Sequence, residues 1–289
     1  MRFIGNEKLA DYAELTKPRL TTLVLVTTWL GFSLGAKAHP PKWLWLSVLL
    51  GTWLAACGAA ALNQYIEREL DAKMRRTQNR PLPQKRLLPR HALIFGMVLA
   101  TVGVLDLLLF VNALASLLAC LTLFSYLLVY TPLKTRTNCC TLIGAVPGAI
   151  PPMIGWAAAR GSLGPQAWVL FAILFLWQLP HFLAIAWMYR DDYARAGCSM
   201  LPVVDPEGGS TARMIILYCA ILIPVTLMPS RMGWAGFSYF WGALVLGMVF
   251  LFFGSCTAFF RTPAYAKRLL LASVIYLPAL LTWMVLDGI

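Results

Sequence analysis

Apolar positions in this chain gather into long unbroken runs instead of alternating with polar ones. Runs fall at roughly 20–36, 43–62, 91–111, 113–130, 141–158, 166–188, 212–229, 234–260 and 269–286, each near the ~20 residues that a helix needs to cross a hydrocarbon core. The pattern predicts an all-α polytopic membrane protein of nine transmembrane helices. Runs 91–111 and 113–130 are separated by Asn112 alone, so they form a tight helical hairpin. Charges and turn residues collect between the runs, chiefly in 65–90, 131–140 and 190–211.

Composition narrows the class. Of 289 residues, 60% are hydrophobic and 12% are charged, about half the charged share of a soluble domain. That excludes a water-facing globular fold, intrinsic disorder and a secreted disulfide scaffold, and leaves one transmembrane domain over 1–289. The seven cysteines make no C-x-x-C pair, and Cys57, Cys120, Cys219 and Cys256 lie inside apolar runs while Cys139 and Cys140 share a loop. They read as small core residues, not as zinc or redox sites.

The net charge of +12 would suggest nucleic acid in a soluble chain, but here it reports topology first. Twenty Lys and Arg fall on one side of the nine-helix scheme, and only Lys37, Lys42, Arg160 and Arg231 on the other. The positive-inside rule therefore puts the N-terminus and the loops 65–90, 131–140 and 190–211 in the cytoplasm, and no nucleic acid is needed. Glu7, Asp11 and Glu14 ahead of the first run argue against a cleaved signal or a transit peptide. A bacterial cytoplasmic membrane is the expected location. Each long cytoplasmic loop follows the second helix of a four-helix set, so the chain reads as a weak four-helix repeat plus a ninth helix.

The densest chemical signal is Asn63, Glu67 and Asp71, one residue per helical turn where the second run leaves the membrane. Steps of four residues drift slowly around a helix, so three oxygen-bearing side chains share one face. Such donors suit Mg²⁺, which takes one or two carboxylates and leaves other positions to water and substrate phosphate. The plainer alternative is a polar face at headgroup depth. Lys73, Arg75, Arg76, Arg80, Lys85 and Arg86 follow, around Thr77 and the turn Arg80-Pro81-Leu82-Pro83. Lys85, Arg86 and Arg90 read as inside-positive charge attracted to anionic lipid. Arg76 and Arg80 read as phosphate ligands, which beside a metal describe a diphosphate site.

Other signals face the same compartment. Asp191 and Asp192 end the sixth run, and Lys134 and Arg136 sit in the third cytoplasmic loop. Pro147, Gly148, Pro151, Pro152 and Gly155 break the fifth run, which implies either backbone lining an enclosed cavity or close helix packing through small residues. Among three histidines, His181 alone lies inside a run, whereas His39 and His91 sit at interfaces. An intramembrane ionisable residue is a functional candidate, and a neutral imidazole there can ligate iron or orient a substrate. Asp106 is the sole acid well inside a run and lies toward its outer end, which counts against an ion-coupled transporter.

With these residues in view, the chain resembles the intramembrane UbiA-type prenyltransferases. Asn63-x-x-x-Glu67-x-x-x-Asp71 with Arg76-Thr77-x-x-Arg80-Pro81-Leu82 carries the likeness. Tyr130-Thr-Pro-Leu-Lys134, Gly148-Ala-Ile-Pro151-Pro152-x-x-Gly155-Trp156 and Trp177-Gln-x-Pro180-His181-Phe182 look like the haem-farnesylating branch of that superfamily. Glu67 stands where Asp is commoner, and the second loop lacks a D-x-x-x-D, so Asp192 is aligned with the family's acid and the resemblance leaves one or two Mg²⁺ open.

The resemblance implies a helical bundle around a central cavity open to the cytoplasmic side. It also implies transfer of a farnesyl group from farnesyl diphosphate to a vinyl carbon of haem b, a substrate here, with water addition. Asn63, Glu67, Asp71 and Asp192 would hold Mg²⁺, Arg76, Arg80, Lys134 and Arg136 the departing diphosphate, and His181 would contact haem. Product would pass to haem-modifying or terminal-oxidase assembly proteins. A prenyltransferase acting on a quinone precursor is the alternative of the same class, and a membrane carrier or haem-handling protein that of a different one.

Overall fold

The computed structural model describes residues 4–36 and 40–287; Lys37 and His39, counted above, lie outside them. An entry helix α1 (Ile4–Leu15) precedes α2 (Pro18–Gly35), α3 (Lys42–Asp71), α4 (Pro89–Phe110) and α5 (Ala113–Phe124). A π-helical turn, Ser125–Tyr130, carries α5 into the short α6 (Thr131–Leu133). The second half runs α7 (Cys140–Ala149), α8 (Pro151–Arg160), α9 (Pro165–Met188), α10 (Arg190–Arg195), α11 (Leu201–Val204), α12 (Gly209–Arg231), α13 (Phe237–Phe260) and α14 (Pro263–Leu286). There is no strand among the described residues.

Among the described residues, eight helical stretches are long and apolar enough to cross a bilayer: α3, α4, α5 through α6, α7 with α8, α9, α12, α13 and α14. The first expected run coincides with α2, whose 18 residues include Arg19 and four threonines. Those polar groups keep it out of the set. Along the spans, apolar side chains face outward in the open, with Leu109 at 71%, Phe237 at 79% and Phe259 at 81% exposure. A surface of that kind is stable against lipid, not water, and the molecule is an integral multi-pass membrane protein.

Asn112 makes the expected hairpin: its side chain accepts from Ala115 N at 2.8 Å, capping α5, and donates to Ala157 O on α8 at 2.9 Å. The breakers of the fifth run act on two faces. Pro151 lacks the N–H that would continue the ladder, so the helix breaks at Ile150 and leaves Pro147, Gly148 and Pro151 lining a cavity. Gly155 faces α2, where a Cβ would lie 1.9 Å from Thr28 O. Both readings of these residues hold, one per face.

One expectation changes, and the place of Asp106 agrees with its reading. Cys57, Cys140 and Cys219 are buried thiols, but Cys120 and Cys139 are exposed and so are not core residues. Asp106 lies against Gly51 with Oδ2 buried and unpartnered, and it is not among the cavity-lining residues.

Candidate active site

The last turns of α3 leave the apolar part of the bundle, and the four-residue step keeps Asn63, Glu67 and Asp71 on one inward face, each at most 5% exposed. Every one of them meets a base. Lys17 Nζ donates to Asn63 Oδ1 at 2.7 Å, Lys134 Nζ to Glu67 Oε1 at 2.5 Å and Arg80 Nη1 to Asp71 Oδ2 at 2.7 Å. Asn63 Nδ2 also donates to Thr131 Oγ1 at 3.2 Å, so α6 is tied to the same face.

Local sequence explains why those bases arrive. Thr77 Oγ1 donates to the Asp71 main-chain oxygen at 2.9 Å, and Arg80 N donates to Thr77 O at 3.0 Å, so the loop folds back and Arg80 returns to the helix tip. Lys134 sits above the Tyr130 ring, 4.8 Å from its centroid, and Ser199 N donates to Lys134 O at 2.8 Å, which draws in the second long loop. Lys17 has left-handed backbone angles, φ 49° and ψ 65°, immediately before Pro18 opens α2, a sparsely populated conformation that the surrounding packing must hold.

Lys17 was missed by sequence reasoning, which counted it only as tail charge. The available signal was a lysine directly ahead of a helix-opening proline, a cation whose distance from the first membrane helix is fixed. Burial, reinforced by the nearby Arg80 guanidinium, lowers the Lys17 ammonium to about 7. Lys134 goes the other way: burial opposes its charge, but Tyr130 and then Glu67 hold its ammonium well above the usual lysine range.

Asp192 is buried and binds the first loop. Its Oδ2 accepts from Arg76 N at 3.2 Å, and its Oδ1 pairs with Arg195. The Arg76 guanidinium reaches Tyr193 OH at 3.5 Å and covers the Tyr189 ring at 5.4 Å. Thus the loop after α3 joins α10 through Arg76, although among the described residues Asp192 makes no hydrogen bond to Asn63, Glu67 or Asp71. Asp191 is exposed beside Arg190, and Arg136 is exposed and outside the cluster.

Beneath the charged residues lies a cavity of about 490 Å³, apolar for most of its wall and within the common range for small-molecule sites, about 300–1,000 Å³. Tyr126 and Tyr130 line it from the π-helical turn, stacked at 5.7 Å. Lys134, on Tyr130, therefore marks where charge meets cavity. Trp177, Gln178, His181 and Phe182 line it from α9.

The model of the UbiA prenyltransferase family matches residues 24–285. The chain belongs to this family. The protoheme IX farnesyltransferase of Solibacter usitatus is 50% identical to this UbiA-family chain, over 96% of it and 99% of that relative. Among solved structures, digeranylgeranylglyceryl phosphate synthase superposes with a TM-score of 0.82 at 16% identity, over 97% of this chain and 98% of that one. A UbiA homologue of Archaeoglobus fulgidus, solved with DMAPP and Mg²⁺, gives 0.68 at 13% identity, over 95% and 99%. At such identities the structures establish the fold: an all-helical UbiA bundle.

The donor set of this UbiA-family site can be tested against a metal by its chemistry. Among the described residues no three His, Cys, Asp or Glu side chains converge; the set is one amide and two carboxylates. Softer metals prefer nitrogen and sulfur, whereas Mg²⁺ takes few protein oxygens and fills its shell from water and phosphate. The set fits Mg²⁺, and all three donors already face positive charge.

Proposed function

We propose that this protein transfers the farnesyl group of farnesyl diphosphate to a vinyl carbon of haem b, with diphosphate released and water added, at the cytoplasmic face of a bacterial inner membrane. The observation that carries the reading is that the buried Asn63, Glu67, Asp71 face and its three bases stand next to an apolar cavity, since Ala59 and Ala60, a turn before Asn63 on α3, and Tyr130, under Lys134, line it together with His181. The farnesyltransferase name of a relative that is half identical across its whole length supports the substrate pair. The DMAPP and Mg²⁺ in a neighbour of the same fold support the leaving group and the metal.

Asn63, Glu67 and Asp71 would hold Mg²⁺, with Asp192 a second acid if another ion binds. Mg²⁺ when bound supplies neutralisation of the diphosphate as the allylic C–O bond ionises. Lys17, Lys134 and Arg80 turn from the donors to the phosphate oxygens, where charge-assisted bonds hold the departing anion; Arg76 and Arg136 add positive charge at the rim. Tyr126, Tyr130 and Trp177 offer ring faces to the allylic cation within the cavity. The vinyl π electrons form the new C–C bond, the resulting charge spreads into the porphyrin, and water adds with loss of one proton. Apolar walls keep water from the allylic cation before that step. Product would leave through the bilayer to haem-modifying partners.

The test is incubation of the purified protein with farnesyl diphosphate, haem b and Mg²⁺, followed by mass analysis of extracted haem. A gain of farnesyl plus water is expected. Unaltered haem with a prenylated quinone precursor refutes the acceptor, and no prenylated product from either refutes the reaction.

A further inference from the structure

α14 carries no charged or motif residue of the site, yet it reaches His181. His181 Nδ1 lies 2.7 Å from Ser273 Oγ, and the same Oγ donates to Leu270 O at 2.6 Å. A serine hydroxyl has one hydrogen. If that hydrogen went to Nδ1, Oγ and Leu270 O would face each other at 2.6 Å with no proton between them. The arrangement that satisfies all three atoms sends the hydroxyl proton to Leu270 O, and the imidazole then donates Nδ1–H to Ser273 Oγ.

That accounting fixes the other nitrogen. In a neutral imidazole with hydrogen on Nδ1, Nε2 keeps its lone pair. Among the described residues Nε2 has no hydrogen-bond partner, and it is not a sealed, orphaned atom; His181 lines the cavity. The ring is held by more than one contact. It stacks on Trp177 at 5.1 Å and 29°, and Trp177 Nε1 donates to Ser273 O at 2.9 Å, so Ser273 anchors the imidazole and its stacking partner together. Ser273 is fully buried, which keeps water from replacing it.

We propose that Ser273 is a positioning residue: its hydroxyl oxygen accepts a hydrogen bond from His181 Nδ1–H and thereby presents the Nε2 lone pair to the cavity as an axial ligand for the iron of a porphyrin substrate. The proposal rests on the reading that haem is the acceptor. It adds a role for the last helix and a tautomer for His181, and it follows the general design in which a metal-binding imidazole has its second nitrogen tied to an oxygen.

Two measurements test it. In the ligand-free protein, ¹⁵N spectra of labelled histidine, with only three histidines in the chain and His181→Ala to assign the signal, should show Nδ1 protonated and Nε2 bare. Ser273→Ala should shift that signal toward the Nε2–H form, and Ser273→Thr, which keeps the hydroxyl, should restore it. In haem titrations followed by the Soret band and by EPR, Ser273→Ala should weaken haem binding about 10-fold, the usual scale for a lost outer-shell partner, with Ser273→Thr close to wild type and the KM for farnesyl diphosphate unchanged. An Nε2–H tautomer in the wild type overturns the proposal, as does haem ligation indifferent to Ser273→Ala. Equal impairment by Ala and Thr would mean a packing role and also overturns it. If His181→Ala leaves the axial signature intact, the iron ligand is elsewhere and the assignment falls while haem binding stands. A wild-type protein that binds no haem at all instead sinks the acceptor reading beneath it.

Discussion

Replacing Asp71 with asparagine keeps the shape of the side chain and removes one negative charge from the base of the site. That carboxylate is buried and holds Arg80 at 2.7 Å, with the arginine side chain about a fifth exposed. At an effective dielectric constant of about 20, two unit charges at that distance attract by about 6 kcal/mol gross. Most of this is offset by the desolvation of both groups, and removing one partner of a buried pair costs about 3–5 kcal/mol. Arg80 retains some solvent, so Asp71→Asn should destabilise the ligand-free protein by about 3 kcal/mol, near the lower end.

Turnover should fall by more than folding explains. The same carboxylate is one of the two in the Asn63, Glu67, Asp71 face, and losing one oriented electrostatic group from a reacting site costs about 10²–10³ in rate. Thermal unfolding in detergent and steady-state turnover on the same preparation separate the two effects. Adding Arg80→Met should recover part of the stability, since both partners of the pair are then gone, and none of the activity. If Asp71→Asn folds and turns over like wild type, the oxygen face of α3 is not the seat of the chemistry.

Lys17→Met removes a base that sequence motifs do not mark. A lost hydrogen bond to a charged group costs about 1.5–3 kcal/mol, so the KM for the prenyl diphosphate should rise about 10- to 100-fold with the melting temperature little changed, measured in a substrate titration; an unchanged KM removes Lys17 from the site. Gly155→Leu places a Cβ 1.9 Å from the Thr28 carbonyl oxygen, and overpacking of this kind costs about 1–3 kcal/mol or more. Thermal unfolding should show the loss, and a variant as stable as wild type would mean that α2 and α8 are not in backbone contact.

Run lengths made most of the helices legible, because crossing hydrocarbon imposes a length and a composition that no soluble fold requires. The first run was legible as a helix but falls outside the membrane-crossing set: Arg19 and Thr27 line the cavity and Thr28 backs onto Gly155 of α8, so its place comes from tertiary contacts that hydropathy does not encode. Asn63, Glu67 and Asp71 were legible because they share one helix and the spacing alone aligns them. Their partners Lys17 and Lys134 were not equally so. Each lies more than 45 residues away in sequence, and Lys17 depends on a left-handed backbone angle. Ser273 was invisible for the same reason, a lone serine in an apolar run whose meaning arises only when α14 packs on α9. Arg136 shows the converse: a base at the right place in the motif pattern stands exposed and outside the cluster.

Charge at the α3 tip predicts how its ligands arrive. Lys17, Lys134 and Arg80 set three cations against the carboxylates of Glu67 and Asp71, an excess of one positive charge when all are ionised. A divalent cation entering alone would raise that excess to three in a buried site, and a prenyl diphosphate entering alone, with about three negative charges, would reverse it to about minus two. Entering together, they bring about one negative charge and leave the cluster near neutrality. Interior charge imbalance is costly because the surroundings screen it weakly, so metal and diphosphate should each bind poorly alone and strengthen one another, by the same factor in both directions as linkage requires. Mn²⁺ serves as the EPR-visible probe: its affinity for the purified protein should rise at least 10-fold when a non-hydrolysable farnesyl diphosphate analogue is present, beyond the direct Mn²⁺–analogue association measured in its absence. Tight Mn²⁺ binding to the ligand-free protein, with no gain from the analogue, would mean that the three bases do not guard the metal face and that the charge count given for this cluster is wrong.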